Sequence, residues 1–153
     1  MSSITLVAPF SGSVVALANV PDPVFSGLMM GDGLGLNPTS NTLIAPCDGT
    51  ITQVARTGHA LTLTAANGAE VLMHIGIDTV KLNGQGFKPL VRQGQQVKKG
   101  DKLIDVDFAG IKGKVPSLTS VVVIANSDEY TLSAKATGSL SAGQSAFMTV
   151  TSR

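Results

Sequence analysis

The sequence predicts an all-β fold: a single antiparallel β-sandwich or barrel-like domain whose only helices are short single turns. Three observations carry that expectation. Seventeen glycines and seven prolines are spread over 153 residues, so no stretch runs long enough for a sustained helical stripe. Short β-branched runs lie between them, at 13–17, 50–54, 61–64, 71–75 and 121–124, bounded by Gly, Pro, Asn and Asp as strands are. Asn67-Gly68 separates two of these runs, and both residues tolerate the positive φ of a tight hairpin turn. Many short strands with closely spaced turns read as a sandwich or barrel.

Along the chain, the first strand begins by about residue 4. Val7-Ala8-Pro9-Phe10-Ser11-Gly12-Ser13-Val14 is then echoed by Ile44-Ala45-Pro46-Cys47-Asp48-Gly49-Thr50-Ile51. Each copy is an apolar pair, a proline that ends strand pairing, a glycine turn and a new strand. Helix is confined to single turns near Pro23–Ser26 and 77–80. The segment 91–103 is echoed more loosely by 136–145. Two copies are too few for a solenoid and fit a two-fold sandwich whose halves share turn chemistry. Eight of the eleven basic residues fall between Lys81 and Lys114, interleaved with Asp101, Asp105 and Asp107, which reads as a solvated face.

Composition narrows the function. Apolar residues at 43% and a mean hydropathy of +0.29 give a core and argue against disorder. Charged residues are only 14%, against a usual share of about 25%. Eleven basic and ten acidic side chains leave a net charge of +1, so no broad field exists for nucleic acid. A lone cysteine removes internal disulfides. No apolar run approaches the roughly 18 residues of a membrane span, and no secretory n-region is present. The expectation is one domain over 1–153, soluble and cytoplasmic, without nucleic acid and without direct membrane insertion.

Imidazole chemistry rests on His59 and His74, the only two histidines. A hairpin centred on Asn67-Gly68 puts them within two positions of direct cross-strand pairing. Paired histidines in a β domain are ordinarily structural, but two local features set these apart. Thr57-Gly58 places a hydroxyl near enough to orient the His59 ring, and Gly76 lets backbone approach a ring nitrogen of His74. Cys47 lies in a Pro-Cys-Asp-Gly turn with no base nearby in sequence, so it reads as a small hydrophobe.

These residues meet a known family. Met73-His74-Ile75-Gly76-Ile77-Asp78-Thr79 resembles the phosphorylation motif of the glucose-type IIA domains of the bacterial phosphoenolpyruvate-dependent sugar phosphotransferase system, shared by glucose and N-acetylglucosamine systems. Further segments match that family in order: Pro21-Asp22-Pro23-Val24-Phe25-Ser26, Met30-Gly31-Asp32-Gly33, Ala45-Pro46-Cys47-Asp48-Gly49-Thr50-Ile51, Thr57-Gly58-His59-Ala60, Gly84-Gln85-Gly86-Phe87 and Gly94-Gln95-Gln96-Val97-Lys98-Lys99-Gly100-Asp101. The resemblance spans about residues 7–150.

It implies a phosphocarrier domain. His74 would accept a phosphoryl group from the phosphohistidine carrier protein HPr and pass it to the sugar-specific IIB domain. His59 would be its active-site partner, with Thr57 bonded to the His59 ring. Asp22, Phe25, Asp78 and Val80 are similar to residues lining the family's docking face. No cofactor is implied. The chemistry asks His74 for a neutral ring nitrogen, so its other nitrogen should donate to a backbone carbonyl, that of Gly76. The sequence departs from the family where Ala55-Arg56 precede Thr57, a place commonly held by an aromatic. It also lacks the amphipathic N-terminal tail of some free-standing members, which suits a domain cut from a longer multidomain chain.

The same residues bear on three rival readings. A biotinyl- or lipoyl-type carrier domain would share the Gly-Gln-Gln-Val-Lys-Lys-Gly-Asp run, but needs a Met-Lys-Met or Asp-Lys-Ala hairpin tip that the chain lacks. A metal-binding hydrolase would want three protein ligands, commonly with a His-x-His pair that is missing here. Adventitious or partner-completed zinc at His59 and His74 stays open, as does a purely structural binding module.

Overall fold

The computed structural model describes residues 2–153. Its strands, in chain order, are β1 (Ser3–Val7), β2 (Gly12–Ala16), β3 (Asp32–Pro38), β4 (Thr42–Ile44), β5 (Gly49–Val54), β6 (Ala60–Ala65) and β7 (Glu70–His74). The second half adds β8 (Phe87–Pro89), β9 (Gln96–Val97), β10 (Lys102–Val106), β11 (Ser120–Ile124), β12 (Tyr130–Ser133), β13 (Ser139–Leu140) and β14 (Ala146–Ser152). Two single-turn helices complete it, α1 (Pro23–Ser26) and α2 (Phe108–Ile111). The structure is the all-β antiparallel sandwich the sequence predicts, and each of the five β-branched runs falls on a strand, two of them overrunning it by one residue (Leu17 and Ile75).

An eight-stranded sheet runs in the order β13-β2-β3-β11-β7-β6-β5-β9, and two three-stranded sheets run β1-β14-β12 and β4-β10-β8. The expected repeat is the organising symmetry. Val7 N–H donates to the Pro46 carbonyl at 2.9 Å, and Ile44 N–H donates to the Pro9 carbonyl at 3.0 Å, so the two copies bond to each other reciprocally. The looser repeat supplies matching partners. Ala8 exchanges backbone bonds with Ser145 and Gly143, and Ala45 does so with Asp101 and Gly100. The prolines end each ladder at equivalent places because they have no N–H to donate.

The main core is filled by Leu6, Phe10, Leu36, Leu43, Ile51, Leu63, Ile104 and Phe147, all buried. Alternation on β7 sends Val71 and Met73 into that core. A second, smaller cluster of Leu17, Val20, Phe25, Ile77, Val121 and Val123 is covered partly by α1, and Leu72 packs against it. The period of two places His74 on the same side of β7 as Leu72. Helix α1 starts where Asp22 accepts from the Val24 N–H at 2.9 Å and Pro23 takes the first helical position.

The β6–β7 hairpin is tied down by its own turn. The Asn67 amide donates to the Ser2 and Val150 carbonyls, both at 3.2 Å, and the Tyr130 hydroxyl donates to the Asn67 carbonyl at 2.6 Å. Two helical details differ from the sequence reading. The turn expected at 77–80 lies at Thr79–Leu82, because Asp78 is left-handed (φ 58°) and delays it. Helix α2 was not expected; Asp107 caps it by accepting from the Gly110 N–H. All eight basic residues between Lys81 and Lys114 are exposed, as a solvated face requires.

Candidate functional site

His74 ends β7, opposite Ala60 on β6 and Val121 on β11. The ladder continues one step further, with the Ile75 N–H donating to the His59 carbonyl at 2.8 Å. The hairpin therefore sets His59 and His74 one position out of direct pairing. Their rings meet edge to face, with centroids 5.0 Å apart and planes at 80°.

Each ring is fixed through its Nδ1. His74 Nδ1 lies 2.8 Å from the Gly76 carbonyl oxygen. A carbonyl only accepts, so Nδ1 carries the proton and Nε2 of the neutral ring carries the lone pair. This contact depends on the turn at Gly76, whose φ of 71° favours glycine and where a Cβ would stand 2.6 Å from Thr79 Cγ2. His59 Nδ1 lies 2.6 Å from Thr57 Oγ1. When the Thr57 hydroxyl donates, His59 becomes the Nε2–H tautomer, a hydrogen-bond donor beside His74. Thr57 and Gly76 thus stand where the sequence placed them.

Two further residues steady the His74 loop. The Gly76 N–H donates to Ser120 Oγ at 3.2 Å, and buried Thr79 donates its hydroxyl to the Ile75 carbonyl at 2.6 Å. Ser120 was not singled out by the sequence reading. Only the pairing of β11 with β7 brings it here, and no local motif announces it.

Burial, then the neighbouring His59, lowers the pKa of His74 from 6.5 to about 4, against weaker opposing effects from the Gly76 bond, Asp22 and Asp78. Burial also lowers the pKa of His59. The His74 ring is therefore neutral at physiological pH. Because its folded-state pKa lies below its unfolded value, the unfolded chain binds more protons between about pH 6.5 and 4. Stability fully present above that window should fall as the pH drops through it. His74→Gln should remove this part of the acid sensitivity, measured as thermal midpoint against pH. Identical profiles for wild type and variant would overturn the assignment of the lowered pKa.

A cavity of about 230 Å³ opens beside the His74 ring, lined by Phe25, Met30, Ala55, Ala60, Leu72 and His74 among others. Phe87 packs near His59, at 6.4 Å between centroids. Of the four residues expected on the docking face, Val80 is exposed at 52%. Asp22 and Asp78 are half-buried, the first capping α1 and the second 3.7 Å from Lys81 Nζ. Phe25 is corrected by the structure: it is only 5% exposed and belongs to the smaller core cluster. Its ring packs 5.1 Å from that of His74, so it floors the cavity rather than rimming it. The α1 cap turns this side chain inward, and that orientation is not readable from the Pro-Asp-Pro-Val-Phe segment alone.

Cys47 is buried, and its thiol pKa is pushed up to about 12 by burial and by Asp48, in keeping with its reading as a small hydrophobe. Among the described residues no group of three or more His, Cys, Asp or Glu side chains gathers to hold a metal ion. Among the described residues no helix is long and apolar enough to cross a membrane.

Comparisons with known proteins agree on one family. A family model described as phosphoenolpyruvate-dependent sugar phosphotransferase system, EIIA 1, matches residues 4–130. The chain is 48% identical over 124 residues to a glucose-specific EIIA component of Bacillus cereus, covering 81% of this chain and 75% of that one. It is 41% identical over 145 residues to a glucose-specific EIIA component of Buchnera aphidicola, covering 95% and 90%. It is 44% identical over 141 residues to an N-acetylglucosamine-specific EIICBA component of Klebsiella pneumoniae, covering 92% of this chain and 22% of that protein. Among solved structures, glucose permease IIA from Mycoplasma capricolum superposes with a TM-score of 0.92 at 36% identity, covering 97% of this chain and 96% of that one.

Proposed function

This chain belongs to the EIIA 1 family of the phosphoenolpyruvate-dependent sugar phosphotransferase system, and from that membership we propose that it is a single cytoplasmic phosphocarrier domain whose His74 receives a phosphoryl group from HPr and hands it to a sugar-specific IIB domain. The observation that carries the reading is the pair of ring bonds. Gly76 holds the His74 Nδ1 proton and Thr57 engages His59 Nδ1, which leaves both Nε2 atoms for the transferring group.

In the first transfer, the His74 Nε2 lone pair attacks phosphorus in line, and the P–N bond to the donor imidazole breaks. The donor nitrogen keeps that electron pair. The Nδ1–H bond to Gly76 spreads the positive charge that develops on the His74 ring. His59, as the Nε2–H tautomer, donates to the equatorial oxygens, whose charge is the main burden of such a transition state. Catalysis needs positioning more than covalent chemistry. The apolar walls contributed by Phe25, Leu72 and Phe87 keep water from the phosphoramidate. Transfer to IIB reverses the same steps, and the identity of the sugar lies outside this domain.

The test is incubation with phosphoenolpyruvate, the general phosphotransfer proteins and labelled phosphate, read as acid-labile label on this chain. A chain that stays unlabelled would sink the reading. His59→Gln separates accepting from passing on. The variant should still take label from the upstream carrier, though more slowly, because His59 assists that transfer without being the nucleophile. It should donate to the IIB domain about a hundredfold more slowly, since one oxyanion donor is typically worth about 3 kcal/mol. Unchanged donation would make His59 a packing residue.

A further inference from the structure

Five methionines and one cysteine are the sulfur atoms of this chain, and the described ones divide sharply by environment. Met73 and Met148 are 1% and 0% exposed and belong to the main core. Cys47 is buried with its thiol held protonated, and a thiol in that state reacts slowly with oxidants. Met29 and Met30 are 74% and 41% exposed. They are adjacent in the chain, and Met30 lines the histidine cavity together with Phe25, Leu72 and His74. The turn that delivers them is tightly set. Leu28 is left-handed at φ 62°, Gly31 has φ 119°, and the Met29 N–H donates to the Val24 carbonyl at 3.0 Å. An added Cβ at Gly31 would collide with the Ile124 carbonyl oxygen, so the turn is backed against the end of β11.

We propose that Met29 and Met30 form a reversible oxidation site that gates the histidine cavity, acted on by peroxides. The thioether sulfur attacks the peroxide oxygen, the O–O bond breaks, and a sulfoxide forms. Sulfur gives up two electrons, and the second peroxide oxygen leaves as water once protonated. A thiol-dependent sulfoxide reductase restores the thioether, forming one disulfide and one water for each sulfoxide reduced. Thioether oxidation needs no ionised group, so the exposed pair reacts where Cys47 does not. The consequence is local. A flexible apolar side chain becomes a polar one, and at Met30 the new S–O dipole stands against the apolar wall shared by Phe25 and His74. The effect on transfer rests on the reading of His74 as phosphoryl acceptor; the location of the site does not.

The experiment treats the purified chain with hydrogen peroxide and maps its methionines by mass spectrometry. A gain of about 16 Da is expected on Met29 and Met30 but not on Met73 or Met148. Equal oxidation of the buried pair in the folded chain would overturn the site. Phosphoryl uptake is then compared with that of the same protein untreated. Uptake by the wild-type chain should drop about tenfold and recover with methionine sulfoxide reductases and a dithiol. For Met29→Leu/Met30→Leu the treated-to-untreated ratio should stay near one. Full oxidation with unchanged uptake, or an equal loss in the double variant, would refute the gate. A second readout is independent of phosphotransfer: the His74 ring proton resonance should shift on oxidation of the wild-type chain and stay put in the double variant. Should the untreated chain take up no label, the phosphotransfer reading fails, while the peptide map and the resonance still decide the proposal.

Discussion

His74→Gln is expected to abolish acid-labile phosphoryl labelling completely. Glutamine keeps a polar amide near the Gly76 carbonyl but has no basic nitrogen to attack phosphorus. No other group can substitute. His59 sits beside His74 but has its Nδ1 held by Thr57 rather than by a carbonyl, and Cys47 is buried with its thiol pushed up to about 12. Because wild-type His74 is already neutral in the folded chain, the substitution removes no charge at neutral pH. The thermal midpoint at pH 7 should therefore move by only a few degrees, the scale of about 1 kcal/mol in a domain of this size. The measurement is label incorporated by wild type, His74→Gln and His59→Gln under one set of conditions. If His74→Gln labels while His59→Gln does not, the roles of the two rings are exchanged.

Phe25→Asp is expected to cost most of the fold's stability rather than merely its docking. Truncating a buried phenylalanine costs about 3–5 kcal/mol through lost transfer energy and the cavity left behind. An unpaired carboxylate in that place adds several kcal/mol more. Together these rival the whole stability of an ordinary domain, about 5–15 kcal/mol. The cooperative urea transition should shift to very low denaturant or vanish. Val80→Lys is the contrasting variant. Val80 is exposed in the first turn after Asp78, so its stability should stay within about 0.5 kcal/mol of wild type. If the exposed apolar side chains around the cavity carry recognition, a lysine there should still slow phosphoryl uptake strongly. Normal stability of Phe25→Asp would return that residue to the docking face, and normal uptake by Val80→Lys would remove Val80 from it.

Much of this site was legible in the sequence because its determinants are local. The Asn67-Gly68 turn fixes the hairpin register to within one position of the expected pairing, and both ring bonds span only two residues, Thr57 to His59 and His74 to Gly76. The repeat was legible because proline must end a ladder wherever it falls. What escaped depends on pairings distant in sequence. Ser120 reaches Gly76 only because β11 lies beside β7, and Phe25 turns inward only because α1 caps the face carrying Val121 and Val123. Short helices are set by single caps and single left-handed residues. Asp107 adds a turn that no periodicity announces, and Asp78 shifts another by two residues.

The pairing of β1 with β14 has a mechanical consequence. Ser3 stands opposite Thr151 and Leu6 opposite Met148, so both ends of the strand pair leave the domain from the same edge. Backbone bonds in such an antiparallel ladder lie perpendicular to the strands. Tension applied between the two ends therefore loads one rung at a time, beginning at the Ser152 N–H bond to the Ser2 carbonyl, and peels the pair open like a zipper. A tether on either end pulls at the same corner of the domain, on the sheet edge where Asn67 grips Val150. Asn67 also holds the Ser2 carbonyl, so the peeling meets the hairpin that carries both histidines at its very start.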